Sequence, residues 1–190
     1  MRETQLSFLT EYEINPYTMA ILPKEYGSKL YSEILEVEDQ YLSPFKPLTL
    51  IKTSCQFFGS SFNGRREGTK YLIGVTHKAP IIIDSHTSIF ALPTTSPINP
   101  ECIWLFSNHV EKISKHNQFS TTVHFRNGQN LIVPISHSSL FNQLSRVSML
   151  HVKFTQHLEY LENKYCTSSM YLSVKRTPRD KRNDENGDFT

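Results

Sequence analysis

The spacing of apolar residues divides the chain into a strand-rich middle and a helical end. Leu140, Leu144, Val147, Leu150, Phe154, Leu158 and Leu161 step by 4, 3, 3, 4, 4 and 3. That period predicts an amphipathic helix of about six turns or more, with N-cap candidates at Ser136 to Ser139. Its other face presents Asn142, Arg146, Lys153, Gln156 and His157. A shorter helix starts at Pro47. Leu48, Ile51, Cys55 and Phe58 step by 3, 4 and 3, proline opens the first turn, and Gly59 follows the last. Short apolar runs predict strands at Tyr71 to Thr76, Ile81 to Ile83, Ile89 to Leu92, Cys102 to Ser107, Thr121 to Phe125 and Gln129 to Ile135. Arg126-Asn127-Gly128 between the last two predicts a hairpin, because Asn-Gly suits the positive φ of its turn. Nearer the start, Glu11 to Leu22 reads as two short strands around Asn15-Pro16. Lys29 to Val37 reads as a strand, although Leu30, Ile34 and Val37 also suit a helix. Gly59 to Lys70 carries three of the seven glycines and predicts a loop.

These elements predict an α+β fold, a mostly antiparallel sheet with a long amphipathic C-terminal helix and a short helix before the Gly-rich basic loop. Residues 1–10 read as a flexible N-terminal arm, 11–162 as a single domain and 163–190 as a C-terminal tail. From about residue 175 the tail is mixed in charge and nearly free of apolar residues, which predicts disorder.

Composition narrows the function. The 190 residues, 12% of them aromatic, are enough for one domain or two small ones with a buried core. The longest run of isoleucines, Ile81 to Ile83, is far short of a membrane span, and Glu11 and Glu13 interrupt any signal-peptide stretch, so a cytoplasmic protein is expected. Three widely spaced cysteines, Cys55, Cys102 and Cys166, form no disulfide framework and no zinc motif, and read as small buried hydrophobes. The net charge of +2 hides an asymmetry. Residues 1–50 carry 4 basic and 8 acidic side chains, and residues 51–153 carry 10 basic and 4 acidic. A positive middle suits a polyanion, although acidic and basic parts that face each other in the fold would show the same pattern.

No catalytic constellation stands out, and no enzyme, metal or cofactor is expected. Gly59-x4-Gly64-Arg65-Arg66 mimics a P-loop, but arginines occupy the positions of the phosphate-binding lysine and the magnesium-binding hydroxyl. There is no His-Glu-x-x-His and no Gly-x-Ser-x-Gly. The loop around Arg65, Arg66 and Lys70, with Phe57, Phe58, Phe62 and Tyr71, sets guanidinium groups beside aromatic anchors. Arginine forks suit phosphates and narrow A-tract minor grooves. Arg126 and Asn127 sit at a hairpin tip slim enough for that groove. Lys78, Arg146 and Lys153 suit backbone phosphates. Each feature taken alone also has an ordinary structural explanation: a connection, a turn, a solubility face.

Taken in order, these motifs resemble the ComK family, competence transcription factors of Gram-positive bacteria. The run Phe57-Phe58-Gly59-Ser60-Ser61-Phe62-x-Gly64-Arg65-x-x-Gly68-Thr69 is the most distinctive. His77-Lys78-x-Pro80-Ile81, Cys102-x-Trp104, Phe125-x-Asn127-Gly128, Pro134-Ile135-Ser136, Gln143 and Arg146 follow. The resemblance runs from about Tyr12 to about Glu162 and implies a transcriptional activator of DNA-uptake genes. It implies that paired AT-rich boxes are bound from the minor-groove side by dimers that assemble into a tetramer. The partners implied are double-stranded AT-rich DNA, further copies of the chain, RNA polymerase and a Clp-protease adaptor. For the adaptor, Met170-Tyr171-Leu172-Ser173-Val174-Lys175 is loosely similar to the family's recognition segment but lacks its proline. The resemblance assigns no individual DNA contacts. Arg65, Arg66, Lys70, Lys78, Arg126, Asn127, Arg146 and Lys153 are candidates from charge and loop chemistry. The alternative is a protein-interaction module without DNA binding.

Overall fold

A computed structural model describes residues 7–174, with side chains as far as Tyr165. Residues 1–6, the tail from 175 and the side chains of Cys166 and of Met170 to Lys175 lie outside the described residues. Two compact units divide at Lys153, and each is described by itself. The first holds nearly all the secondary structure. A seven-stranded sheet has the order β1-β4-β3-β2-β7-β6-β5, from Ser7–Phe8, Gln40–Ser43, Lys29–Glu36, Thr18–Tyr26, Trp104–Phe106, Ile89–Pro93 and Ile81–Asp84. All its pairings are antiparallel except β1 with β4, which draws Ser7–Phe8 of the expected arm into the sheet. A second, three-stranded sheet has the order β10-β9-β8, from Asn130–Val133, Thr121–Phe125 and Val110–Lys115. The helices are α1, Pro47–Phe57, α2, Phe62–Ile73, and α3, His137–Val174. The fold is α+β, mostly antiparallel, with a long C-terminal helix.

The core follows from strand alternation. On one face of the large sheet, Ile21, Ile34, Ile81, Ile83, Trp104 and Phe106 pack against Leu50, Ile51 and Cys55 of α1 and Phe62 of α2. On the other face, Phe90 meets the ring of His151 edge-on at 4.9 Å. Val123 and Phe125 of β9 and Leu140, Val147 and Leu150 of α3 are buried as well. Burial pushes the thiols of Cys55 and Cys102 up to about 11, as suits packed hydrophobes. The second unit consists, among the described residues, of the continuation of α3 from Phe154. No helix among them is long and apolar enough to cross a membrane.

Three expectations are corrected. Gly59–Lys70 is not a loop, and Tyr71–Thr76 is not a strand. Both belong largely to α2, which starts at the Ser61 N-cap, whose Oγ accepts from Gly64 N at 2.9 Å, and stops at Gly74 with φ +71°. Glu11–Leu22 is not two strands. Residues 11–17 are irregular, held by an Asx turn from Asn15 Oδ1 to Tyr17 N at 2.8 Å, and a single strand begins at Thr18. β8, unforeseen, has only Val110 and Ile113 as apolar residues.

Candidate nucleic-acid interface

Helix α2 lies across β5, the last strand of the large sheet. Its side chains Arg65 and Thr69, one turn apart, bond two carbonyls in and just before that strand: Arg65 Nη2 donates to Ile83 O at 3.2 Å, and Thr69 Oγ1 to Pro80 O at 2.7 Å. Arg65 also reaches Phe58 O at 3.4 Å, and its Nε is buried without a hydrogen-bond partner among the described residues. The Arg65 guanidinium is therefore turned into the protein. Arg66 and Lys70 are exposed on the other side of α2. Arg66 lies over the Phe62 ring at 5.8 Å, and both cations line a depression of about 360 Å³ with Asn63, Glu67 and Thr76.

The loop after α2 carries this surface on. Thr76 closes the first depression, and its neighbours His77 and Lys78 open a second one of about 290 Å³, with Ser139, Asn142, Gln143 and Arg146 of α3. Gln143 fastens this place. It is 2% exposed, and its Nε2 donates to Lys78 O at 3.1 Å and to Pro93 O at 2.9 Å. Its Oε1 accepts from Arg146 Nη1 at 3.1 Å, and the same Nη1 reaches His77 O at 3.4 Å. Lys78 has φ +49°, a conformation that side chains rarely adopt. The buried Ala79 and Pro80 and the bond to Gln143 hold it there. Lys153 is seven residues beyond Arg146, two turns along the same face of α3.

The hairpin tip lies elsewhere. Arg126 lines a groove with Phe141, Leu144 and Ser148, on the opposite side of the buried Leu140–Gln143–Val147 stripe from Arg146. Arg126 Nε donates to Asn108 O at 2.9 Å, and Asn127 Nδ2 to Val37 O at 2.8 Å, tying the small sheet to the large one. Nearby, His109 Nε2 meets Pro16 O at 2.9 Å, and burial lowers the pKa of its ring. Of the eight candidates, then, Arg66, Lys70, Lys78 and Arg146 flank one loop, Lys153 extends that line, Arg65 is internal, and Arg126 and Asn127 stand apart. None of these six arginines and lysines beside Asn127 and Arg65 takes part in an ion pair among the described residues, where Lys24–Glu33 at 3.1 Å does. Among the same residues no group of three or more His, Cys, Asp and Glu is placed to hold a metal ion.

Sequence reasoning missed Gln143 as a fastener and His77 as a neighbour of the cations. The signal for the first was a polar residue on the apolar stripe, between Leu140 and Val147. Comparison with known proteins decides the family. The family model described as ComK protein matches residues 9–159, well over half of the chain. The chain belongs to the ComK family. It is 36% identical to the competence transcription factor of Bacillus subtilis (strain 168) over 169 residues, 89% of this chain and 88% of that one. No solved structure matches. The ComK match covers both depressions and the hairpin, and ends inside α3.

Proposed function

We propose that the chain is a DNA-binding transcriptional activator of competence genes that holds paired AT-rich boxes from the minor-groove side. The observation that carries this reading is the convergence of Lys78 and Arg146 on one depression, fastened by Gln143, beside the depression of Arg66 and Lys70. A row of cations fixed on rigid elements suits a phosphate backbone, and the narrow groove of A-tracts concentrates negative potential where an arginine fork fits. Arg66 is assigned to the groove. Lys70, Lys78, Arg146 and Lys153 are assigned to phosphates. Arg65, through Ile83 and Phe58, positions α2 for that contact, and Arg126 and Asn127 hold the small sheet. The printed name of the relative from Bacillus subtilis supports the competence role. The test is a gel shift on a duplex with an A-tract and a T-tract box against a GC-rich duplex of equal length. Tighter binding to the AT boxes, weakened in Lys78→Ala/Arg146→Ala, is expected. Equal affinity for both duplexes, or a double variant that binds like wild type, refutes the assignment.

A further inference from the structure

Strand register sets a lysine opposite each of two stacked tyrosines at the open end of the large sheet. Leu92, Leu105, Ala20 and Leu35 form one row across β6, β7, β2 and β3. The first three are fully buried and Leu35 is partly exposed, so the cover of this face ends between β2 and β3. Beyond it the same face carries Tyr26 of β2, Tyr31 of β3 and Phe8 of β1. The rings of Tyr26 and Tyr31 stack at 5.2 Å and 23°, and Phe8 lies 6.1 Å from Tyr31. Tyr26 is 61% exposed and Phe8 is 52% exposed. Across the strands, Lys29 pairs with Tyr26 and Lys24 pairs with Tyr31.

Lys29 is exposed, and although it also borders a depression with Glu25 and Glu101, it takes part in no ion pair among the described residues. Lys24 Nζ meets Glu33 Oε2 at 3.1 Å, yet its side chain is 48% exposed, so the ammonium keeps donors for a further anion. Residues 1–50 carry more acidic than basic side chains, but few of those acids share this face. Strand alternation sends Glu25 and Glu36 to the opposite one. There the Glu36 carboxylate accepts from Tyr12 Oη and from Asn15 Nδ2, both at 2.7 Å. Glu33, on the open face, is bound by both Lys24 and Gln40. Glu38 and Asp39 lie past the far end of β3, about 17 Å or more from Tyr31 at ~3.4 Å per residue and roughly two Debye lengths away.

Exposed rings interleaved with ammonium groups on an open sheet make a platform for a single strand. Bases stack on the rings and the ammonium groups take the phosphates. We propose that this face binds single-stranded nucleic acid, with two or three bases on Tyr26, Tyr31 and Phe8 and the intervening phosphates on Lys24 and Lys29. A duplex keeps its base faces stacked inside and offers these rings nothing, so the site is distinct from the cations assigned to duplex DNA and does not depend on that assignment. An acidic protein would suit the lysines too. Four strands about 4.8 Å apart and roughly six residues long, however, offer only about 400 Å², half of the ~800 Å² that a standard protein partner buries.

The experiment is fluorescence anisotropy of a labelled oligothymidine of about 15 nucleotides, which has little structure of its own, titrated with the full chain at low and rising salt. The variants are Phe8→Ala/Tyr26→Ala and Lys29→Ala, with Lys78→Ala/Arg146→Ala for comparison, and a melting curve is run on each. The aromatic variant is expected to lose strand affinity by about tenfold or more. Lys29→Ala is expected to flatten the dependence of log K on log salt by about 0.7. Both should bind an AT-box duplex within about twofold of wild type, and Lys78→Ala/Arg146→Ala should keep most of its strand affinity. Should the aromatic variant fail to fold, the slope of Lys29→Ala alone decides. A wild-type chain that leaves the oligothymidine free overturns the inference. A folded aromatic variant that holds the strand as wild type does also overturns it, and leaves the rings as a brace of the sheet. So does loss of the strand in Lys78→Ala/Arg146→Ala, which would put it on the duplex row, or a labelled polyglutamate of equal charge bound as tightly, which would make the face a dock for acidic protein. A wild-type chain that binds the strand but no AT-box duplex overturns the duplex reading alone.

Discussion

Replacing Gln143 with methionine keeps the length of the side chain and removes its amide. Lys78 O and Pro93 O then lose their donor, and Arg146 Nη1 loses its acceptor, in a place only 2% exposed. A buried carbonyl left unpaired costs about 1–3 kcal/mol, and burial of the thioether returns about 1 kcal/mol. For the two carbonyls together the expected net loss is about 1–5 kcal/mol. With a urea m-value of about 2–3 kcal/mol/M for a domain of this size, the unfolding midpoint falls by roughly 0.5–2 M. The same change frees Lys78 from the bond that holds its rare φ of +49°, and frees Arg146 from its place beside it. DNA affinity of the folded variant therefore falls as well, by about tenfold, whereas Asn142→Ala, one residue away on the exposed side, leaves the stability within about 0.5 kcal/mol. Urea melts followed by fluorescence and a gel shift at low urea measure both effects. An unchanged midpoint refutes the hydrogen-bond accounting. A lowered midpoint with unchanged affinity refutes the claim that Gln143 sets the two cations in place.

Further outcomes follow from single residues. Burial holds the His109 ring below its ordinary value of 6.5, with the Pro16 bond opposing and Arg126 reinforcing the shift. As pH falls the unfolded chain takes up that proton first. The stability contributed by the neutral ring is thus present above about pH 6.5 and is lost as pH falls through the lower folded value. Thermal melts at about pH 7.5 and about pH 5.5 should show a smaller acid-induced drop for His109→Gln than for wild type. At the cap that ends α2, Gly74→Ala forces a side chain to φ +71° and should cost about 1–2 kcal/mol. Gly68→Ala meets nothing within 4 Å and should add about 0.5–1 kcal/mol. Chemical melts of the two variants should move in opposite directions. In a Cys166→Ser background, Cys55 and Cys102, with thiols near 11, should resist a thiol-specific chromogenic disulfide at neutral pH until the chain unfolds.

The elements that hydrophobic spacing specifies strongly were legible. The seven regularly spaced apolar residues of α3, the Pro47 start of α1 and the Asn-Gly hairpin appear where their patterns put them. Helix α2 was hidden because two glycines, Gly64 and Gly68, lower its helix propensity, and because only Phe62 and Thr69 of its residues are buried. Its caps, Ser61 and Gly74, stood in the sequence, but the bonds of Arg65 to Ile83 in β5 and of Thr69 to Pro80 just before it, which hold it down, come from residues distant in the chain. β8 was hidden for a related reason: half-exposed beside β9, it needs few apolar residues. At the site, the sequence showed which cations exist but not which are turned inward. Arg65 and Arg66 are neighbours with identical chemistry, and a helix turn of about 100° per residue sends one to a carbonyl and the other to solvent. Lys78 and Arg146 are 68 residues apart, and only the fold brings them to one depression.

The proposed grip on duplex DNA is a fixed row of cations along α2, the 74–80 loop and α3. The most direct measurement is the slope of log K against log salt for an AT-box duplex, for wild type and for Arg66→Ala/Lys70→Ala/Lys78→Ala/Arg146→Ala. Each lysine or arginine on a phosphate contributes about −0.9 to the slope, so the fourfold variant, which removes the three phosphate contacts of Lys70, Lys78 and Arg146, should be flatter by roughly 2.7 per copy. Arg65→Ala should weaken binding at every salt concentration with the slope unchanged. A fourfold variant that keeps the wild-type slope would mean that the DNA lies on another surface.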